Sequence, residues 1–180
     1  YNAFENAANH ITKLSDEGFG SDGMKQLEKD FKTCGPIENE LDLATFQSNV
    51  MGTAQGVVQY NNEIPGQPTV SDYCVAMTAT NADGSTVCPY KTLAKLMADQ
   101  LEGSGEKCED VSYKATIDYL AGTKGDLPTN AARSWVYQTC NEFGYYQTSD
   151  SKTQPFHSFK GLQGLSYSRK MCYDAYDGWT

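Results

Sequence analysis

The sequence is poor in basic residues and in the side chains that usually carry catalysis. Lys and Arg total 14 against 23 Asp and Glu, for a net charge of −9 over 180 residues. Neutralising phosphates needs clustered cations, so general nucleic-acid binding is excluded as the first reading. No apolar run approaches the roughly 18–20 residues of a membrane span, so a membrane partner is not expected. Only two histidines are present, His10 and His157. His10 lies in a polar helical stretch and His157 in a loop, and neither has a nucleophile near it in sequence. The text nearest to a nucleophile elbow, Gly164-Leu165-Ser166-Tyr167-Ser168, lacks the second Gly of G-x-S-x-G. Ser166 therefore reads as a helix-start serine, and no catalytic residue is assigned. P-loop, dinucleotide, zincin and calcium-loop patterns are also missing, so no cofactor or metal is expected. There is no N-x-[ST] sequon. The chain starts at Tyr1 with no signal-like segment, which suggests a start inside a longer translation product.

What is present points to a folded domain. Hydrophobic residues make up 39% and aromatics 12%, enough for a core and against disorder. The six cysteines are Cys34, Cys74, Cys88, Cys108, Cys140 and Cys172. Their even count fits three disulfides and an oxidising compartment. Zinc would call for close pairs such as C-x-x-C, and none occurs. Six cysteines allow 15 connectivities, and spacing alone leaves them open.

Apolar residues recur at helical spacing through most of the chain. Helices are predicted over 2–14, from Ser21 or Asp22 to Cys34-Gly35-Pro36, and from Glu38 to Gln59. Others run from Ser71 or Asp72 to Thr78, from Pro89 to Gly103, around Tyr113 to Leu120, and from Leu165 to Tyr176. Residues 61–68 read as a loop and Asn81 to Ser85 as a turn. Alternating strand patterns are few. The fold class is mainly α, in one disulfide-stapled domain.

The densest segment runs Arg133-Ser134-Trp135-Val136-Tyr137-Gln138-Thr139-Cys140-Asn141-Glu142-Phe143-Gly144-Tyr145-Tyr146-Gln147-Thr148. Aromatic walls with a few placed polar groups suit a small binding pocket. On composition alone, ordinary core is the simpler reading of these rings.

Trp135 to Thr148 closely resembles the W-x-Y-Q-T-C-T-E-F-G-Y-Y-Q-T signature of one serine peptidase family, departing from it at Asn141. That family includes lysosomal prolyl carboxypeptidase, dipeptidyl peptidase II and thymus-specific serine protease. Further elements resemble the family's in the right order. They are Phe31 to Ile37, Ala54 to Asn61, Tyr73 to Met77, Cys108 to Tyr113, Pro155-Phe156 and Met171 to Tyr173. The resemblance implies an α/β-hydrolase interrupted by a helical insert that caps the active site. The family's nucleophile precedes the insert and its Asp and His come after it, outside this chain. Residues 1–180 then constitute the cap domain, and their first partner is the hydrolase core of the same protein. The resemblance also implies Cys34–Cys108 and Cys140–Cys172. The family's partner for Cys74 is missing upstream, so Cys88 becomes the expected substitute.

The function implied is capping a serine exopeptidase and shaping its specificity for peptide substrates, with a bias toward proline. The expected substrate-binding residues are Trp135, Tyr137, Phe143, Tyr145 and Tyr146 as aromatic walls. Glu142 is expected to bind a substrate's free amino end, its alternative being a carboxylate that holds a backbone turn. The compartment implied is lysosomal or extracellular, and a homodimer is left open. The rival function is a stand-alone secreted helical binding module without catalysis. A storage protein is a third reading, favoured only by the acidity.

Overall fold

The computed structural model describes residues 1–122 and 131–176, and they are mainly helical. Eight α-helices succeed one another: α1 Asn2–Ser15, α2 Asp22–Asp30, α3 Glu40–Gln59, α4 Val70–Thr78, α5 Pro89–Ser104, α6 Tyr113–Ala121, α7 Ala131–Gln138 and α8 Ser166–Ala175. A π-helical turn, Thr139–Phe143, continues α7, and a short 3-10 turn, Lys160–Leu162, precedes α8.

Local chemistry sets most of the helix starts. The Ser21 hydroxyl accepts from Met24 N–H at 3.1 Å, and the Asn39 side chain accepts from Leu41 and Asp42 N–H at 3.0 Å each. Helix α4 starts earlier than expected. Thr69 is its cap and Asp72 its third residue, and each side chain bonds the other's backbone in a capping box. Ser71 and Asp72 therefore lie inside the first turn. Pro89 opens α5, whose end at Gly105 adopts φ 80°, a left-handed conformation that suits glycine.

The core gathers around α3. Phe31 meets Phe46 and Tyr90 edge-on at 5.1 and 5.7 Å between ring centres. Ile11 of α1, Met24 and Leu27 of α2, Val50 of α3 and Leu93 of α5 are fully buried around them. Phe159, also fully buried, brings the late loop onto the same core. Helix α3 carries buried polar groups as well, and each finds a partner. The Asp42 carboxylate accepts from Tyr113 N–H at 2.9 Å. Gln47 Oε1 accepts from Gly161 N–H at 3.2 Å. A Cβ at Gly161 would lie 2.9 Å from Gln47 Oε1 and 3.0 Å from Ala44 Cβ, so this close approach requires glycine.

Two disulfides close, Cys34–Cys108 and Cys140–Cys172. The first ties the end of α2 to the segment before α6. A short parallel bridge accompanies it: Cys34 N–H donates to Glu109 O, and Glu109 N–H to Lys32 O, both at 2.9 Å. The second ties the π turn to α8. The expected Cys74–Cys88 bond is not formed, and both residues are free, exposed thiols. The register of the α4–α5 connection accounts for this. Thr80 pairs antiparallel with Thr86, and Val87 N–H donates to Ala79 O. That register runs on to Thr78 opposite Cys88, and Cys74 lies four residues farther back in α4. A disulfide also requires facing Cβ vectors.

Beside the first disulfide, Glu109 Oε1 accepts from Asn49 Nδ2 at 2.6 Å, and the same amide donates to Asp110 O at 3.0 Å. Burial raises the Glu109 pKa, and the Asp110 charge adds to it; the Asn49 hydrogen bond opposes both but does not cancel them. The folded chain thus holds this proton more tightly than the unfolded chain. Stability is uncompromised at pH below the unfolded carboxyl value and falls as pH rises through the raised native value.

Two outcomes are expected. Replacing Cys34 and Cys108 together by Ser should lower the unfolding free energy by about 4 kcal/mol, since the bond closes a loop spanning 74 positions. Urea midpoints check this. Glu109→Gln, which keeps an acceptor for Asn49, should stabilise the chain at pH 7 and make no difference near pH 3. A stability difference that is flat across that range contradicts the assignment.

Candidate functional site

The aromatic segment begins on α7, none of whose side chains is buried. The π turn inserts an extra residue into the helical repeat and rotates the residues beyond it about the axis. Gly144 then ends the turn at φ 56°, and the chain leaves in an extended run through Tyr145 and Tyr146. Contacts with α6 and α8 fix the segment from behind. The Cys140–Cys172 bond is buried at both ends, and the Tyr146 hydroxyl donates weakly to Cys172 Sγ at 3.4 Å. Tyr176 donates from its hydroxyl to Arg133 O at 2.9 Å, and its ring meets Tyr137 edge-on at 5.3 Å. The Arg133 guanidinium stacks over the Tyr176 ring and donates to Leu120 O.

These rings are not core. Trp135 and Tyr145 are each 56% exposed and Phe143 is 65% exposed, with Tyr137 also exposed. The structure divides the expected site residues between two places. Trp135, Tyr145 and Tyr146 line a cleft of about 880 Å³ between α3, α7 and α8. Tyr137, Glu142 and Phe143 line a separate depression of about 650 Å³, together with Arg133, Ser134 and Gln138. Glu142 is exposed, and its carboxylate has no hydrogen-bond or ion-pair partner among the described residues, so it holds no backbone turn there.

The larger cleft has a polar floor and aromatic walls. Tyr60, at the end of α3, and Tyr167 of α8 bring the rings to five; Tyr60 is exposed, and Tyr146 and Tyr167 are half-buried. Thr45 and Tyr167 hydrogen-bond each other at 3.1 Å on its lining. Burial raises the Tyr167 hydroxyl above its ordinary pKa, so it stays a neutral donor over the physiological range. Asn49 and Gln147 supply amides. Tyr60, Thr45, Asn49 and Tyr167 are not among the site residues expected from sequence. Tyr60 carries a signal, since it lies in the Ala54 to Asn61 element; Thr45 and Tyr167 lie 122 positions apart and carry none.

Among the described residues no nucleophile and base come together here. His10 stacks on Tyr90 at 4.4 Å, remote in sequence and packing from the cleft. His157 is half-buried, with Nδ1 3.0 Å from Ser149 O. Ser166 is an exposed residue in the first turn of α8. Among the described residues no group of three or more His, Cys, Asp or Glu converges as a metal site. No helix among them is long and apolar enough to cross a membrane.

A family model for serine carboxypeptidase S28 matches residues 1–178. The chain belongs to the serine carboxypeptidase S28 family. It is 28% identical over 143 residues to the thymus-specific serine protease of Homo sapiens, and 29% identical over 150 residues to that of Mus musculus. These matches take in 79% and 81% of this chain but 28% of each relative, so the chain spans little more than a quarter of their length. No solved structure matches it. The S28 membership marks the chain as a serine peptidase region.

Exposed aromatic rings held by a buried disulfide add little to stability. Trp135→Ala and Tyr145→Ala should each change the unfolding free energy by under about 0.5 kcal/mol. Phe159→Ala, in the core beneath, should cost about 3–5 kcal/mol. Chemical denaturation of the three variants makes the comparison, and a large loss at Trp135 would return that ring to the core.

Proposed function

We propose that this chain is the helical cap of an S28 serine peptidase, covering an active site built by an α/β-hydrolase core elsewhere in the same protein. The observation that carries the reading is the cleft itself. Five aromatic rings, Tyr60, Trp135, Tyr145, Tyr146 and Tyr167, line about 880 Å³ of space, and among the described residues no nucleophile–base pair faces it. Three of these rings, Tyr60, Trp135 and Tyr145, are open to water, and such rings suit contact with something apolar and flat. A prolyl ring in a peptide substrate fits that demand, and the neutral hydroxyls and amides on the floor suit peptide carbonyls and N–H groups. The core's Ser–His–Asp relay would perform acyl transfer, while the cap fixes which peptide reaches it.

Glu142 has a distinct part in this reading. An unpaired, exposed carboxylate beside Tyr137 and Phe143 suits a free amino terminus through a charge-assisted hydrogen bond. Its separation from the larger cleft makes it a rim group that meets the end of a peptide. Lysosomal or extracellular action accords with the closed disulfides, which persist in oxidising compartments. An acidic lumen also suits the net charge of −9 and the proton that Glu109 holds.

The test uses the full-length protein. Trp135→Ala should lower kcat/KM on proline-containing peptides about 10- to 100-fold, the loss of one aromatic contact of about 1.5–3 kcal/mol. Glu142→Gln should raise KM about tenfold for peptides with a free amino terminus and leave acetylated peptides unchanged. Unaltered kinetics in the Trp135 variant would remove that ring from substrate binding, and no hydrolysis by the native protein would favour a binding module without catalysis.

A further inference from the structure

Most of the hydroxyl and amide protons around the aromatic cleft are already engaged. Thr45 gives its hydroxyl proton to Leu41 O at 2.8 Å, so in the 3.1 Å contact between the two hydroxyls Tyr167 is the donor. The Tyr167 oxygen can then meet a ligand only as an acceptor. Thr116 gives its proton to Ser112 O at 3.1 Å, and Thr139 to Val136 O at 2.8 Å. Asn49 uses both amide protons, on Glu109 Oε1 and Asp110 O, which leaves Oδ1. Tyr167, Thr116, Thr139 and Asn49 come from α8, α6, the π turn and α3, and all four line the cleft. Against these fixed acceptors stands one side-chain group that can only donate, the Trp135 indole N–H. Gln59, Gln147 and the free hydroxyls can serve either way. Among the described residues no charged side chain lines the cleft.

This bias selects among ligand groups. A peptide backbone presents a carbonyl beside nearly every N–H, so a lining biased toward acceptors matches only half of it. A carboxylate or phosphate would meet oxygens and no cation. A lysine ammonium carries three donors and no acceptor, which is the complement of this lining. Arg also only donates, but its planar fork suits paired carboxylate oxygens; acceptors that arrive from four elements suit three diverging, rotatable donors. The open faces of Tyr60, Trp135 and Tyr145 attract a cation through their ring quadrupoles. Behind Asn49 the Glu109 carboxyl accepts from the same amide, which polarises it and strengthens Oδ1 as an acceptor. The net charge of −9 adds a long-range attraction of the same sign.

We propose that the aromatic cleft binds a primary ammonium group, supplied by a lysine side chain of the same peptide whose prolyl ring lies on its aromatic walls. The inference rests on the peptide-binding reading above and deepens it. A cleft of about 880 Å³ holds more than one residue, so the cation sits beside the prolyl ring and does not replace it. Lysine keeps its charge at acid and neutral pH, so the preference persists in an acidic compartment. Glu142, in the separate depression, is left for the amino terminus.

The test gives the full-length protein synthetic octapeptides with an acetylated amino end and one Pro. Lys, norleucine or Glu is walked through the other positions against an alanine background. At one position Lys should exceed norleucine in kcat/KM by about tenfold, and Glu by more. Thr116→Val removes one acceptor at nearly constant shape and should cut the Lys-to-norleucine ratio about threefold; Thr116→Ser should restore it. Norleucine equal to Lys at every position overturns the proposal. So does a Lys preference that Thr116→Val leaves whole. A second arm frees the amino end of peptides without Lys. A tenfold gain there that Thr116→Val abolishes moves the ammonium from lysine to the chain terminus and overturns the lysine assignment. If no peptide is cleaved, the peptidase reading fails, and calorimetric titration with the Lys and norleucine octapeptides decides the cleft on its own. Tighter binding of the Lys peptide then supports the proposal, and equal binding overturns it.

Discussion

The buried polar side chains of α3 are the constraint on which the remaining architecture depends. An apolar helix can slide or rotate against its neighbours at little cost, because dispersion contacts are not directional. Helix α3 cannot. Asp42 must receive the Tyr113 N–H, Gln47 the Gly161 N–H, and Thr45 must meet the Tyr167 hydroxyl. Asn49 adds Glu109 and the Asp110 carbonyl. Each lost partner would leave a shielded polar group unsatisfied. Two stretches far from α3 in sequence, 109–113 and 161–167, are thereby registered against one helix, and the walls of the cleft stand in fixed relation to its floor.

The aromatic segment uses this frame and departs from regular helix where it must. A plain α-helix from Ala131 onward would keep rotating by the same angle at each residue and carry Tyr145 and Tyr146 around the axis. The π turn breaks that rotation, and Gly144 in the left-handed region turns the chain outward. The Cys140–Cys172 bond anchors the turn to α8, which also presents Tyr167. One covalent link therefore holds two walls of the same cleft together. Exposed rings that are rigid from behind lose little further freedom on binding, so more of their contact energy remains as affinity.

Much of this is legible in the sequence, for local reasons. Helical spacing locates every α-helix except α7, and Ser21, Pro89 and Gly105 act where short-range rules place them. The start of α4 differs from expectation because Thr69, Ser71 and Asp72 are all capping types within one turn, and only the reciprocal Thr69–Asp72 bonds choose among them. The aromatic segment stands out as unusual, yet composition cannot say whether its rings face inward or outward. That depends on the extra residue of the π turn, which leaves no mark in a hydrophobic pattern. The six expected site residues divide for two reasons: Trp135 and Tyr137, two positions apart on α7, point to different sides of the helix, and the turn with Gly144 parts Glu142 and Phe143 from Tyr145 and Tyr146.

The cysteines show where a resemblance reaches its limit. The two closed pairs join segments that other forces already hold together: the Thr33–Glu109 bridge beside the first, and the Tyr146–Cys172 contact beside the second. In both places the fold brings the thiols close and the bond then tightens it. Between Cys74 and Cys88 the backbone pairing brings other residues opposite each other. The α4–α5 connection has its own register, set by the Thr80–Thr86 pair and by the Asp83 carboxylate, which accepts from Ser85 N–H at 2.9 Å. Cys74 lies within α4, which the buried Tyr73 and Met77 hold to the core. The nearness of Cys74 and Cys88 in sequence makes the pair look easy to join, because loop closure is cheap at short range. Chain entropy permits a disulfide; the rigid elements on either side decide whether it forms.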